Sequence, residues 1–478
     1  MKSFDKRRGL GKRKPEAMDP EGRTSNSNLN HVRFAHGMTL LWAVTLNFRR
    51  HSFNMIRRAA SSSSSSPAPP AKRIKLDAPT ATRPLNYKDG VMLAPMVRSS
   101  TLPSRLLALK YGADLVWGPE TVDKAIIGCE RAVDERTGVV SYHRGGNAIF
   151  TCHPVEKPYL VYQIGSSTPE LAAQAASKVY NDVSGIDLNC GCPKPFSTTG
   201  GMGAALLSTP DLLCDILKAI RAAVPREVSV SVKIRLLPKE DDTLDLVRKI
   251  VETGAVRCLT VHCRTRNMRM TERAQVERLT SIVKLCQELD PELAVIQNGD
   301  CTGRDAGKVV RELTGCDSVM IATAAESNLS CFRGGPLADA ASELIPSYAR
   351  LAYFLNNIWN NSKHCLSQFK SPPAVAPAGA SKSAKRQFRE VLAKAKTYEG
   401  ISEHIGGIDG GEEVLASVSS ALGARERQPV SDAPSVDEPS TTTDPQYFVP
   451  DPPPRSPRNA PHDVFDIESG VGSPLIAV

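Results

Sequence analysis

Residues 189–203 read Asn-Cys-Gly-Cys-Pro-Lys-Pro-Phe-Ser-Thr-Thr-Gly-Gly-Met-Gly. They put one thiol, Cys192, in a loop between an apolar run that reads as a buried strand (Val183 to Leu188) and a stretch that reads as a helix (Ala204 to Leu207). Exposed in such a loop, a thiol suits proton transfer; buried in a glycine-rich turn, it is a small core residue. Gly200, Gly201 and Gly203 let the backbone approach a ligand closely. Further polar residues close other apolar runs. Ala94-Pro95-Met96 supplies apolar and backbone groups to flank a flat ring. Gln163 has an amide able both to donate and to accept. Lys233 and Arg235, His262 and Arg264, Asn298-Gly299-Asp300 and Ala322-Thr323 end four more runs. Taken singly, Lys233 is a solvated cation, His262 a structural histidine and Asn298-Gly299 a turn. Their recurrence at successive strand ends points to a shared site.

Those ends belong to eight candidate strands: Val91–Met96, Ala113–Trp117, Leu160–Ile164, Gly185–Leu188, Val228–Ile234, Cys258–His262, Leu293–Gln297 and Ser318–Ile321. They are mostly apolar, as strands buried on both faces are, and helical periodicity fills the intervals, for example Pro210–Ala223 and Asp242–Thr253. Eight strands with crossover helices predict an α/β fold, a (β/α)8 TIM barrel, whose chemistry gathers at the C-terminal strand ends. Residues Gly138 to Lys157 form an extra segment before the third strand and read as a hairpin. Helical spacing in Pro346–Trp359 and Gln387–Tyr398 predicts a smaller all-helical domain. The expected boundaries are a disordered basic extension (1–85), the barrel (86–335), the helical domain (336–408) and a mostly disordered acidic tail (409–478).

The cysteine loop resembles the active-site loop of the tRNA-dihydrouridine synthases, flavoenzymes that reduce uridine in tRNA. The longer form running on through Gly201-Met202-Gly203-Ala204-Ala205-Leu206-Leu207 is similar to the eukaryotic type-2 branch. The resemblance covers about residues 88–405. It rests also on Met92-Leu93-Ala94-Pro95-Met96, Gln163-Ile164-Gly165, Lys233-Ile234-Arg235, His262-x-Arg264-x-Arg266, Asn298-Gly299-Asp300 and Asn361-Ser362-Lys363-His364. It implies FMN as cofactor, reduced by NADPH or NADH, with hydride passing from flavin N5 to uracil C6 and Cys192 protonating C5. It implies an FMN site of Ala94, Pro95, Met96, Gln163, Lys233, His262, Asn298, Gly299, Asp300, Ala322 and Thr323. For tRNA it implies Asn189, Arg235, Arg264 and Arg266 at the uracil and its phosphate, and Asn361, Lys363 and His364 on the helical domain. The type-2 branch implies uridine 20 of the D-loop, a base that must leave its stack to react. Thr323 stands where the family commonly has Arg or Lys, while Cys190 and Cys263 replace an apolar residue and a glycine. No double-stranded-RNA-binding domain is recognised after the helical part.

Composition refines these expectations. The chain has 478 residues and a net charge of +9. Residues 1–77 hold sixteen Lys/Arg against five Asp/Glu, so the remainder is slightly acidic. Residues 337–400, with nine Lys/Arg against four Asp/Glu, are the expected phosphate-contacting stretch. The twelve cysteines are scattered and include no C-x-x-C pair, which favours reduced thiols over a disulfide framework or metal site. Met38 to Leu46 is too short to span a bilayer. Pro70 to Asp77, with Lys72-Arg73-Ile74-Lys75, resembles a nuclear-import signal for an import receptor; a charged linker is the plainer reading. Nuclear and cytoplasmic residence is expected, with a mitochondrion as the alternative, because Arg23 to Leu76 contains no acidic residue. A monomer is expected. Two other functions fit parts of the pattern: an FMN-barrel reductase of a free pyrimidine, and a catalytically silent tRNA-binding protein.

Overall fold

The computed structural model describes residues 85–371 and 382–426. The import-signal and acidic-tail expectations for 1–84 and 427–478 lie outside these residues. Eight parallel strands are formed: β1 (Val91–Leu93), β2 (Leu115–Trp117), β3 (Leu160–Gly165), β4 (Gly185–Cys190), β5 (Ser229–Leu236), β6 (Cys258–Thr265), β7 (Ala294–Asn298) and β8 (Ser318–Ile321). Neighbours pair in chain order from β2 to β8. β1 pairs with both β2 and β8, and β2 pairs with β3, so the sheet closes on itself as a TIM barrel.

The barrel interior changes character along its axis. Met92, Leu115, Trp117, Val161, Cys258, Ala294, Ile296 and Met320 form one apolar cluster, with Tyr87 packed into it. Tyr87 donates to Ser229 Oγ at 3.0 Å. Near the C-terminal ends the inward positions turn polar: Gln163, Asp187, Asn189, Lys233, His262 and Asn298. The side-chain period of two sets this layering, because 229, 231, 233 and 235 share one face of β5. β5 and β6 run two or three residues beyond their expected ends, which carries Arg235 and Arg264 onto the same inward-facing rows. A second, outer cluster fills the space between strands and surrounding helices.

The insertion before β3 is a three-stranded antiparallel sheet, Glu130–Val133, Val140–Arg144 and Asn147–Cys152, rather than a lone hairpin. Its attachment to the barrel is apolar, through Phe150 packed edge-on against Tyr162 of β3, and also polar. Arg105, in helix α1 (Leu102–Lys110), donates to Glu156 at 2.8 and 2.9 Å and to the Thr151 carbonyl at 2.7 Å, with both charged side chains essentially buried.

The helical part comprises α2 (Ile345–Phe354), α3 (Trp359–Gln368), α4 (Lys382–Lys394) and α5 (Gly411–Glu426). Helix α5 corrects the expected boundary at 408. Its sequence is rich in Ser, Gly and Ala, so its apolar face is faint. Tertiary packing nevertheless buries Leu415, Val418 and Leu422, and Arg425 donates to the Leu109 and Ala113 carbonyls.

Candidate active site

The cysteine loop is held by its own residues. Asn189, the last inward position of β4, accepts from the backbone N–H of Gly191 at 2.9 Å and of Cys192 at 3.1 Å through Oδ1. The Cys192 carbonyl accepts from Ala204 N–H at 2.9 Å. Gly203 makes the return, with φ of +57°; a Cβ there would collide with Ser197 Oγ and reach 2.7 Å from the Cys192 carbonyl. Arg235 Nε donates to the Gly191 carbonyl at 2.7 Å, bracing the loop from β5. Of twelve cysteines, eleven are buried and Cys192 alone is partly exposed. Burial and then the neighbouring Glu120 carboxylate push its thiol up to about 11, so at neutral pH it is held protonated.

Around the loop, the polar layer is assembled from adjacent strands. Asp187, wholly buried, accepts from Ser231 Oγ at 2.6 Å and from Gln163 Nε2 at 2.8 Å. With its NH2 turned to Asp187, Gln163 presents its carbonyl oxygen as the remaining acceptor. Lys233 lies half-buried and makes no hydrogen bond or ion pair among the described residues. Desolvation and then Arg235 lower its ammonium to about 8, while Asp187 opposes the shift. His262 is driven to about 2 by burial and the cations Lys233, Arg235 and Arg264, so it is neutral. Arg264 Nη1 stands 3.4 Å from its Nε2, which assigns the ring proton to Nδ1. Asn298 donates from Nδ2 to the Met320 carbonyl at 2.8 Å, tying the end of β7 to β8. Ala94 and Ala322 are the small residues of this layer, beside half-buried Pro95 and Met96, with Thr323 starting the short helix after β8.

Several sequence candidates are already engaged by the protein. Arg264 is 2% exposed, ion-paired with Asp300 at 2.5 Å and bonded to the Glu272 carbonyl at 2.8 Å. Asp300 also accepts from Ala274 N–H at 2.7 Å, so it braces the loop after β6. On the helical part, Lys363 Nζ donates to the carbonyls of Ala393 at 2.8 Å and Ala395 at 2.9 Å. Asn361 accepts from Thr101 Oγ1 at 2.9 Å and donates to the Arg98 carbonyl at 2.6 Å. His364 stands 4.0 Å from Glu326. Asn361 thus ties the helical part to the rim after β1, His364 faces the short helix after β8, and Lys363 ties α3 to the end of α4. Arg266 is exposed.

Two features lie wholly or mostly outside the motifs above. Glu120, beyond β2, sits under the thiol loop, accepting from Ser197 Oγ at 3.3 Å. Burial raises its carboxyl to about 7 against hydrogen bonds from Cys192, Ser197 and Asn189. The second is an exposed arginine set, Arg266, Arg269 and Arg273, on the loop after β6, next to exposed Met270. Clustered arginines were a usable signal; Glu120, outside any motif, was not.

Fold and site define a TIM-barrel protein with a polar mouth, a half-buried lysine in it and a thiol loop over it. Residues 92–371 match the family described as dihydrouridine synthase (Dus). The tRNA-dihydrouridine(20) synthase [NAD(P)+] of Schizosaccharomyces pombe is 44% identical over 67% of this chain and 65% of its own length. The protein of the same name from Saccharomyces cerevisiae is 47% identical over 44% of this chain and 57% of its own. The human tRNA-dihydrouridine(20a/20b) synthase [NAD(P)+]-like protein is 35% identical over 50% of this chain and 70% of its own. The chain belongs to the dihydrouridine synthase family, and it spans just under two thirds of the length of the first relative and less of the second.

Proposed function

We propose that this protein reduces uridine to 5,6-dihydrouridine in tRNA, using a flavin, FMN, that NADPH or NADH reduces. The observation that carries this reading is the partly exposed, protonated Cys192 beside a barrel mouth whose ammonium group, Lys233, has no hydrogen-bond or ion-pair partner among the described residues. The mouth fits the cofactor chemically: an apolar floor for a planar ring, an acceptor on Gln163, a neutral N–H donor on His262 and a cation on Lys233. Bound there, FMN would supply the hydride for uracil C6. The chain does the rest. Lys233 stabilises negative charge at the mouth, and Gln163, fixed by Asp187, sets the orientation of a ligand. Asn298, Gly299, Ala322 and Thr323 stand together at the ends of β7 and β8, where barrels commonly hold phosphate. Cys192 gives its proton to C5.

Exposed Arg266, Arg269 and Arg273 on the rim, with Arg389, Lys394 and Lys396 on and after α4, suit a phosphate backbone. Position 20 of the D-loop is supported by the (20) in the names of the relatives 44% and 47% identical; the human relative named for 20a/20b is less similar. The test is mass-spectrometric dihydrouridine mapping of tRNA from cells lacking the protein. Loss at position 20, restored by the wild type and not by Cys192→Ala, is the expected result. An unchanged map, together with activity on free uracil or uridine, would replace this reading with reduction of a free pyrimidine.

A further inference from the structure

The loop thiol shares its pocket with a carboxyl that has no part in the reaction proposed so far. Glu120 is 7% exposed and precedes the two-residue strand Thr121–Val122, which pairs with Ile164 and Gly165 of β3. That pairing pins Glu120 over Gly165, where a Cβ would come within 2.6 Å of Glu120 Oε1. From the other side Ser197 donates to the same oxygen, and its Oγ lies against Gly203, where a Cβ would collide with it. Asn189, which holds the loop through its carbonyl oxygen, faces Glu120 with its remaining amide group. Three groups of the thiol loop therefore converge on one buried carboxyl that makes no ion pair among the described residues.

We propose that Glu120 positions the Cys192 thiol and returns a proton to it after each turnover. In the balanced step, the Cys192 S–H bond breaks as its proton goes to uracil C5, leaving a thiolate with the electron pair. The Glu120 O–H bond then breaks, its proton restores the thiol, and the carboxylate recovers a proton from water at the mouth. The other titratable groups facing the thiol are Lys233 and Arg235 of β5, and Cys190 of β4 faces Glu120. The cations favour the thiolate, whereas burial and then Glu120 keep sulfur protonated. A carboxyl titrating at about 7 carries the shuttled proton for part of the time at neutral pH.

The relay rests on the tRNA-reduction reading, but the coupling of carboxyl to thiol does not, and the two are read separately. Iodoacetamide labelling of the full chain, followed by peptide mass spectrometry at Cys192, gives the thiol midpoint without substrate; the eleven buried cysteines are the internal control. Glu120→Gln keeps the shape and removes the charge. It is expected to lower the midpoint by about one pH unit, hence to label roughly tenfold faster at pH 8. In steady-state turnover on tRNA, the wild-type rate is expected to fall as pH rises through about 7 and the variant to be slower and flat there. If Glu120→Gln does not fold, Glu120→Asp, which draws the charge back by one methylene, must shift the labelling midpoint the same way by less. An unmoved midpoint in whichever variant folds overturns the proposal. A moved midpoint with an unchanged pH–rate profile leaves the positioning role but overturns the relay.

Discussion

Lys233 and Lys363 look alike in the sequence: each is a cation in a motif that resembles a functional element of the same family. The fold separates them. Lys233 stands in the barrel mouth with its ammonium partly desolvated and no acceptor among the described residues, whereas Lys363 spends two hydrogen bonds on the carbonyls that end α4. The same contrast holds between the Gln163 carbonyl oxygen at the mouth and the polar atoms of Asn361-Ser362-Lys363-His364. At the mouth, the Lys233 ammonium and the Gln163 carbonyl oxygen are left available, while Asn298, Arg264 and Asp300 brace the site. At the junction, polar atoms are paired with one another or with backbone. A residue type signals chemistry only when its polar atoms are not already satisfied.

Substitutions that break the contrast should separate activity from stability. Cys192→Ala has the largest expected effect, a loss of about 10²–10⁴ in turnover, with NADPH-driven flavin reduction unchanged in stopped-flow absorbance. Equal turnover would remove the thiol from proton transfer. Replacing Arg266, Arg269 and Arg273 together with Ala should weaken tRNA binding and flatten its salt dependence by roughly 0.7–0.9 in slope for each phosphate no longer neutralised, as read in a salt titration. An unchanged slope would move the RNA path elsewhere. Asn361→Ala should cost about 1–3 kcal/mol in chemical denaturation by stranding partners at the junction, and Lys363→Met about 1 kcal/mol. Both should leave flavin reduction by NADPH as in the wild type; slowed reduction would place the junction in the chemistry. The smallest effect is a pH dependence. Lys233 is held below its ordinary value, so its charge is present below about pH 8 and lost above it. FMN affinity by fluorescence titration should fall as pH rises through that value, and Lys233→Met should be weaker and level across it.

The barrel was legible because its strands are buried on both faces, and such strands must be apolar runs whatever their neighbours. All eight fall within a few residues of the apolar runs, and the inward rows of β3 to β7 delivered Gln163, Asn189, Lys233, His262 and Asn298 to one mouth. Alternation along a strand is a local property, so sequence carried it. The cysteine loop was legible for a similar reason, since Gly203 must adopt a backbone conformation that side chains resist.

What only the tertiary structure decided concerns groups whose partners are distant in the chain. Arg264 is closed off by Asp300, thirty-six residues away, and Asn361 is bound by residues about 260 positions earlier. Glu120 meets Ser197 across 77 residues, and no spacing announces it. Helix α5 has little helical amphipathicity of its own and is fixed by the surface it covers. Sequence by itself determined which residues face inward, through periodicity and local backbone limits. Which of those residues remain free to act was decided by long-range hydrogen bonding and desolvation, which exist only once the chain is folded.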